Sequence, residues 1–301
     1  MLCSTARVGF TSTYGPPVAL FIGGTSGIGE AMAESFAKYT NGASRIIIVG
    51  RNRAAAESII SRLPPPPESS PPHEFIQCDV SLMKNVHQTT KEILAKTPKI
   101  NFLVMSTGIM TTKGRTESEE GIDRKMAIHY YSRWAFIKDL LPALERAEQA
   151  GEDAKVMSVF AAGKGGAIDV NDLAMKKDYT LTRAGLQLPT YNDLMLEEFS
   201  SRFPKISFIH AYPGFVRTNL ANSSDSAALR MAGPAIMALT YPLSVSAETC
   251  SQHMLSALFR SGAGVWRTGS KGEDLGKKNY YGDDSQRKAL WEHTVPEVER
   301  V

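Results

Sequence analysis

The sequence has little of what marks a disulfide-stabilised, nucleic-acid-binding or membrane-spanning protein. Its 301 residues contain three cysteines, Cys3, Cys78 and Cys250. Their odd number and wide spacing predict neither a disulfide framework nor a zinc site. The formal net charge is only +3 and no dense run of lysine and arginine occurs, so nucleic acid is not an expected partner. No apolar run is long enough to span a bilayer.

The first residues also lack the long apolar core of a signal peptide. We therefore expect a cytoplasmic protein. Hydrophobic residues make up 43% of the chain, which suits a globular protein whose length fits one large α/β domain. The predicted organisation is an N-terminal extension over 1–17 and one domain over 18–301.

Short apolar runs alternate with amphipathic segments through most of the chain. This alternation predicts parallel strands joined by crossover helices, in a single doubly wound Rossmann-type α/β domain. Strands that are apolar throughout fit burial on both faces. The helix predicted over 183–203 is expected to be interrupted near Pro189, because proline removes a helical hydrogen bond. The proline-rich stretch 63–72 predicts a surface insertion, with a site for a proline-binding partner as the alternative.

The sequence GGTSGIGEAM follows the first predicted strand and opens the first helix. Gly23, Gly27 and Gly29 fall where a tight turn needs a bare backbone and free φ angles. A pyrophosphate can then approach the N–H groups and the positive dipole end of the helix. Thr25, Ser26 and Ile28 belong to the same loop, which predicts a dinucleotide site; a glycine-rich turn without a ligand is the alternative.

The end of the second strand, IVGRNR, favours NADP(H) over NAD(H). An NAD site usually places a carboxylate there for the ribose 2′-hydroxyl, but this chain has Gly50 followed by Arg51 and Asn52. Arg51 suits a 2′-phosphate because a guanidinium offers charge and a planar fork of donors. The Ser26 hydroxyl is a second donor to this group. Arg51 as ordinary surface charge is the alternative.

Asp79 and Val80 follow the third predicted strand in QCDVS. At that position the Asp79 carboxylate is expected to accept a hydrogen bond from the adenine amino group. The alternative is that Asp79 or Ser81 caps the next helix.

These motifs resemble those of the short-chain dehydrogenase/reductases, within their retinol-dehydrogenase-like branch. The resemblance covers roughly 18–293 and includes IGGTSGIG, VGRN, CDVS, GAIDVNDLAMKKDYTLTRAG, EEFSSRFPKISFIHAYPGFVRTNL and KALWEH. It implies that Gly108, Pro213, Gly214, Val216 and Thr218 contact the cofactor. It also implies pairing through the fourth helix and the active helix, so a homodimer is a further expectation.

The same resemblance exposes departures at the reaction centre. Family members carry an asparagine where this chain has His129 and two serines where it has Phe160 and Ala161. The active helix should carry a tyrosine and, one turn later, a lysine. The alignments from both sides of the helix place Gly185 and Pro189 there, and they make Tyr179 a non-catalytic tyrosine.

Three residues are candidates for replacing the missing proton donor. His129 titrates near neutral pH, with a packed or N–H-bonded imidazole as the alternative. Tyr212, just before Pro213, is expected on the nicotinamide side, where it acts as acid or only shapes the substrate site. Lys164, in the turn GKGG, lies near the pocket mouth or is a surface charge. His210 is expected in the core.

Three functions remain open at this point. The first is an NADP(H)-dependent oxidoreductase of small-molecule, including secondary, metabolism that acts on an apolar carbonyl or alcohol with an unusual donor. The second is a non-redox isomerase, cyclase or lyase, with NADP structural or vestigial. The third is a cofactor-binding pseudoenzyme. The segment around 219–242 is expected to form an apolar substrate lid, or an ordinary packed helix pair.

Overall fold

A seven-stranded parallel sheet organises the chain in the computed structural model, which describes residues 15–221 and 224–301. The sheet order is β3-β2-β1-β4-β5-β6-β9, with β7 and β8 as a separate parallel pair. This confirms the predicted doubly wound α/β fold. Residues 1–14, with Cys3, lie outside the described residues. The strands are β1 (Val18–Ile22), β2 (Arg45–Gly50), β3 (Glu74–Gln77), β4 (Phe102–Met105), β5 (Lys155–Val159), β6 (Ser207–Ala211), β7 (Val216–Arg217), β8 (Val245–Ser246) and β9 (Gly264–Thr268).

Helices connect the strands as crossovers, and a last helix follows the final strand. They are α1 (Gly27–Tyr39), α2 (Arg53–Ile60), α3 (Met83–Lys96), α4 (Arg124–Met126), α5 (Ser132–Gln149), α6 (Leu181–Arg202), α7 (Ala227–Thr240), α8 (Ala247–Arg260) and α9 (Asp284–Glu299). A π-helical turn, Ala127–Tyr131, joins α4 to α5, and a 3₁₀ turn, Tyr241–Leu243, follows α7.

Both faces of the sheet are covered, because successive strand residues point to opposite sides. In β1, Leu20 and Ile22 join one hydrophobic cluster with residues of α3, α5, α6 and α9. Ala19 and Phe21 join the other cluster, with residues of α1 and α8. All five β1 residues are buried, as the apolar strands predicted.

The predicted interruption of the active helix is wrong. The helix α6 runs without a break from Leu181 to Arg202, with Pro189 buried inside it. Tertiary contacts supply hydrogen bonds where the proline weakens the helix. The Leu186 carbonyl accepts from Gly166 N–H at 2.9 Å, and the Thr190 hydroxyl donates to the Gly166 carbonyl at 2.7 Å. A Cβ at Gly165 would lie 2.4 Å from Thr190 Oγ1, so the glycines of this turn permit the close approach.

The outer faces of α5 and α6 are covered by α9. Trp291 lies with its ring centroid 5.3 Å from Trp134 and 5.0 Å from Phe199. Nearby, the Tyr130 hydroxyl and Thr294 Oγ1 are 2.7 Å apart. A homodimer through these two helices would have to displace α9, so pairing stays a prediction.

The remaining expectations concern metal sites, membrane spans and two segments of the chain. No group of histidine, cysteine, aspartate or glutamate residues suited to a metal ion occurs within the described residues. Among the helices that these residues form, none has the length and apolarity needed to cross a bilayer. The proline-rich insertion joins α2 to β3. The segment around 219–242 contains α7, on which Met231 and Leu239 are more than 80% exposed, and its role as a lid stays a prediction.

Candidate active site

A cavity of about 790 Å³ lies at the carboxyl ends of β1, β2, β3 and β4. It brings together eleven of the residues predicted to bind the cofactor: Gly23, Thr25, Ser26, Gly27, Ile28, Arg51, Asn52, Asp79, Val80, Gly108 and Thr218. Ligands of doubly wound folds bind at this edge of the sheet. Further lining residues are Gly50, Arg53, Cys78, Ser106, Thr107, Ile109, Ile128, Asn219 and Leu220.

The glycine loop needs its glycines for two different reasons. Gly23 and Gly27 have φ angles of 89° and 60°, in the left-handed region that side chains disfavour. Gly29 is not among the lining residues. It is required for packing, since a Cβ there would lie 2.4 Å from the Gly23 carbonyl oxygen and from Ser106 Oγ. The loop therefore turns tightly and brings the first N–H groups of α1 to the cavity.

Two arginines border the cavity after β2. Arg51 is exposed and has no ion-pair partner among the described residues. Asn52 caps α2 by accepting from Ala55 N–H at 3.1 Å. Arg53, which sequence reasoning did not single out, also lines the cavity, lies over the Phe75 ring at 5.0 Å and is 3.7 Å from Glu57. Arg51 is therefore the less constrained cation.

Asp79 lines the cavity but does not cap the next helix. Its Oδ1 accepts from Ser81 N–H at 3.0 Å within a turn. The first N–H groups of α3 are instead satisfied by Glu120, which accepts from Met83 and Lys84 at 2.7 and 3.0 Å. The capping alternative for Asp79 or Ser81 is thus wrong, and one carboxylate oxygen of Asp79 has no partner among the described residues.

The far end of the cavity is bordered by the residues after β4 and by Thr218. The Thr218 side chain lies 3.2 Å from the position of a Cβ on Gly27, so it packs against the glycine loop. Pro213, Gly214 and Val216 do not line the cavity. Gly214 has a φ angle of 75°, and a Cβ there would lie 2.9 Å from Ser270, so it shapes the turn that leads to Thr218.

His129 lies in the π-helical turn beside this end of the cavity. Its Cε1 is 3.4 Å from the position of a Cβ on Gly108, and its Nε2 accepts from Ile109 N–H at 3.4 Å. The ring stacks on Phe160 with centroids 4.8 Å apart. Burial, and then the charge of Arg133, lower the pKa of His129 to about 3. The imidazole is therefore neutral near pH 7, which fits the packed alternative better than an acid.

Tyr212 and Lys164 are brought together, although neither lines the cavity. Tyr212 follows β6, and its N–H donates to the Thr268 carbonyl at 2.9 Å. The Lys164 ammonium lies 4.9 Å from the centroid of the Tyr212 ring. Burial raises the pKa of Tyr212, so its phenol is protonated at neutral pH. The ends of β5 and β6 thus supply a tyrosine and a lysine side by side.

The positions of the two family serines form part of a buried network. The Ala161 N–H donates to His210 Nε2 at 3.2 Å, and His210 Nδ1 lies 2.5 Å from Asp193 Oδ1. Arg267 Nε is 3.0 Å from the same oxygen. His210 is fully buried, as expected. No sequence pattern indicated the Asp193–Arg267 pair, because the two residues lie on α6 and β9.

Arg133 is a second feature that sequence reasoning missed. It is 1% exposed on α5 and donates to the Thr107 carbonyl at 2.7 Å, the Ser158 hydroxyl at 2.5 Å and the Val159 carbonyl at 3.1 Å. Its guanidinium also lies 5.2 Å from the centroid of the Phe160 ring. Arg133 therefore ties the end of β4 to the end of β5. The only sign of Arg133 in the sequence was a charged residue within a largely apolar helix.

A family model described as short chain dehydrogenase matches residues 17–228. The chain belongs to this family. Its curated relatives include "Oxidoreductase AN1596" of Emericella nidulans, 36% identical over 82% of this chain and 74% of the relative. Another is "Oxidoreductase andH" of Emericella variicolor, 31% identical over 78% of this chain and 67% of the relative.

Solved structures share the fold at low identity. An alcohol dehydrogenase from Thermococcus sibiricus, complexed with 5-hydroxy-NADP, has a TM-score of 0.59 at 18% identity and covers 85% of this chain and 97% of its own. An NADPH-bound carbonyl reductase from chicken fatty liver has a TM-score of 0.60 at 14% identity, over 86% of this chain and 97% of its own.

Proposed function

We propose that the protein is an NADP(H)-dependent oxidoreductase that acts on an apolar small-molecule carbonyl or alcohol. The observation that carries this proposal is the cavity itself. It joins a glycine loop, the N-terminus of α1 and Arg51, with no carboxylate among the last residues of β2. A helix N-terminus behind such a loop attracts a pyrophosphate, and Arg51 suits a 2′-phosphate.

The residues present fit a dinucleotide along the whole cavity. Asp79, with one free carboxylate oxygen, suits the adenine amino group next to Val80. Thr107, Gly108 and Thr218 border the opposite end, where the resemblance assigns the nicotinamide. When bound, the cofactor supplies or accepts a hydride; the chain itself positions the cofactor and moves the proton. The names of the fungal and NADPH-bound relatives agree with this assignment.

We assign the role of proton donor to Tyr212, because its phenol is protonated at neutral pH and the Lys164 ammonium lies 4.9 Å from its ring centroid. In this proposal the positive charge of Lys164 stabilises the phenolate left after proton transfer. His129 is less suited, since its Nε2 already accepts a hydrogen bond and its pKa is far below neutral. In this proposal Tyr212 and Lys164, from two strand ends, replace the tyrosine and lysine that the alignment predicts to be missing at positions 185 and 189 of α6.

The test is NADPH oxidation followed by absorbance with a panel of apolar aldehydes and ketones. We expect substrate-dependent oxidation, and a higher melting temperature with NADPH than with NADH at equal concentration, because a ligand stabilises the fold that binds it. A larger shift with NADH would refute the choice of cofactor. Absence of oxidation with every carbonyl, while NADPH still binds, would refute the redox activity.

A non-redox isomerase, cyclase or lyase is the second candidate. It is favoured by α6, which presents Gly185 and Pro189 where the family places its acid and its lysine, and by Ala161 in place of a serine. Substrate turnover with no net change in NADPH absorbance would identify this case. Product analysis by mass spectrometry would then show no mass change for an isomerase or cyclase.

A further inference from the structure

Arg133 is a buried cation without a counter-ion. No carboxylate of the described residues lies within 4 Å of its guanidinium, and its Nε has no hydrogen-bond partner among them. Buried charges in proteins are nearly always paired, because an unpaired charge is costly to desolvate. Burial lowers the pKa of Arg133 to about 9, so the group remains charged at neutral pH despite that cost.

The neighbouring charges do not neutralise Arg133. Asp193 is held by His210 and Arg267, and Asp123 lies 3.7 Å from the Lys125 ammonium. His129, the titratable group beside it, is neutral. The positive charge of Arg133 therefore lies directly behind Thr107, to whose carbonyl it donates at 2.7 Å. Thr107 lines the end of the cavity that is assigned to the nicotinamide.

We propose that Arg133 makes this site discriminate against the oxidised cofactor, so that the protein holds NADPH more tightly than NADP⁺. The oxidised nicotinamide ring is positively charged and the reduced ring is neutral, whereas the rest of the two molecules is the same. A fixed positive charge behind Thr107 repels only the oxidised ring. This inference rests on the proposed NADP(H) site and adds a preferred redox state of the bound cofactor.

The experiment compares dissociation constants of NADPH and NADP⁺ by calorimetry, without any substrate. For the wild-type protein we expect NADPH to bind about tenfold more tightly, a difference of about 1.4 kcal/mol in binding free energy. Arg133→Gln keeps a hydrogen-bond donor but loses the charge, and should reduce this ratio to near one. Arg133→Lys keeps the charge and should retain most of the ratio.

Arg45→Gln is the matched control. Arg45 is also buried, at 5% exposure, but it is paired with Glu74 at 2.8 Å near the edge strand β3. Its replacement should leave the ratio of the two dissociation constants unchanged.

Each outcome bears on one of the two claims. Equal affinities in the wild-type protein overturn the role of Arg133 while the NADP(H) site stands, and they do so even if Arg133→Gln fails to fold. An unchanged ratio in folded Arg133→Gln overturns it as well. If neither cofactor binds the wild-type protein, the proposed function fails and this inference fails with it.

Discussion

The two ends of the candidate site are built in different ways. At the nucleotide end, the decisive features belong to the backbone: a loop with left-handed glycines, the first N–H groups of α1 and the ends of β1 and β2. At the reaction end, the decisive features are side chains, and the alignment predicts Gly185, Pro189 and Ala161 at the positions where the family carries the reacting groups. A binding site made of backbone groups tolerates many side-chain substitutions, whereas a proton donor depends on a single side chain.

Binding of the nucleotide should be lost when the packing of the glycine loop is disturbed. In Gly29→Val, a side chain would start 2.4 Å from the Gly23 carbonyl oxygen, so the loop must shift, and we expect loss of NADPH binding and about 1–3 kcal/mol of stability. Thermal melting with and without NADPH measures both effects. The control is Gly185→Val, because a Cβ at Gly185 meets nothing within 4 Å; equal losses in the two variants would contradict the packing argument.

Removal of the proposed proton donor should lower kcat without affecting cofactor binding. Tyr212→Phe removes the proposed proton and keeps the ring beside Lys164, so kcat should fall by about a hundredfold or more while the dissociation constant of NADPH is unchanged. Tyr280→Phe is the control, since Lys277 lies 3.7 Å from that ring centroid, on the surface near α6. Full activity in Tyr212→Phe, with loss in His129→Gln, would move the acid role to His129.

The choice of nucleotide should depend on Arg51 more than on Arg53. Losing a charge-assisted contact costs about 1.5–3 kcal/mol, so Arg51→Ala should weaken NADPH binding by about tenfold to a hundredfold and leave NADH nearly unaffected. Arg53→Ala should have a smaller effect, because Arg53 already contacts Phe75 and Glu57. Titration of both cofactors against both variants tests this, and equal weakening of NADPH and NADH by Arg51→Ala would exclude a 2′-phosphate contact.

An effect confined to acid concerns the stability of the fold. The pKa of His129 is about 3 in the folded state, below its ordinary value of 6.5, so the unfolded chain binds more protons between these values. Stability present above pH 6.5 is therefore lost as the pH falls toward 3, by at most about 1.4 kcal/mol per pH unit. His129→Gln should flatten this loss, as measured by urea unfolding at pH 4.5 and 7.

His87 provides a control of opposite sign. Its hydrogen bond to Asp139 raises the pKa of His87, so its stabilisation is present below pH 6.5 and is lost as the pH rises through the folded value. His87→Gln should therefore lose more stability at pH 4.5 than at pH 7. Identical pH profiles for the two variants would show that neither imidazole is shifted as described.

The parts of the molecule that could be predicted from sequence are those set by local residues. The glycine loop, Arg51 and the alternation of strands and helices depend on neighbours in the chain. The structure confirms the predicted fold, and the role of Arg51 stays a prediction. The interruption of α6 was predicted from Pro189 alone, but hydrogen bonds from the distant turn at Gly166 support the helix. The roles of Arg133 and of the Asp193–His210 pair could not be predicted from sequence, because these roles depend on partners from three or more elements.

The π-helical turn over Ala127–Tyr131 has a consequence for comparing this protein with its relatives. A π turn closes its hydrogen bonds one residue later than an α turn, so it contains one residue more than a regular helix of the same path. Numbering that is carried straight through the turn is therefore offset by one on one side whenever a relative has a regular helix there. His129 lies inside this turn, so superposed coordinates rather than sequence alignment define its equivalence to the family's asparagine.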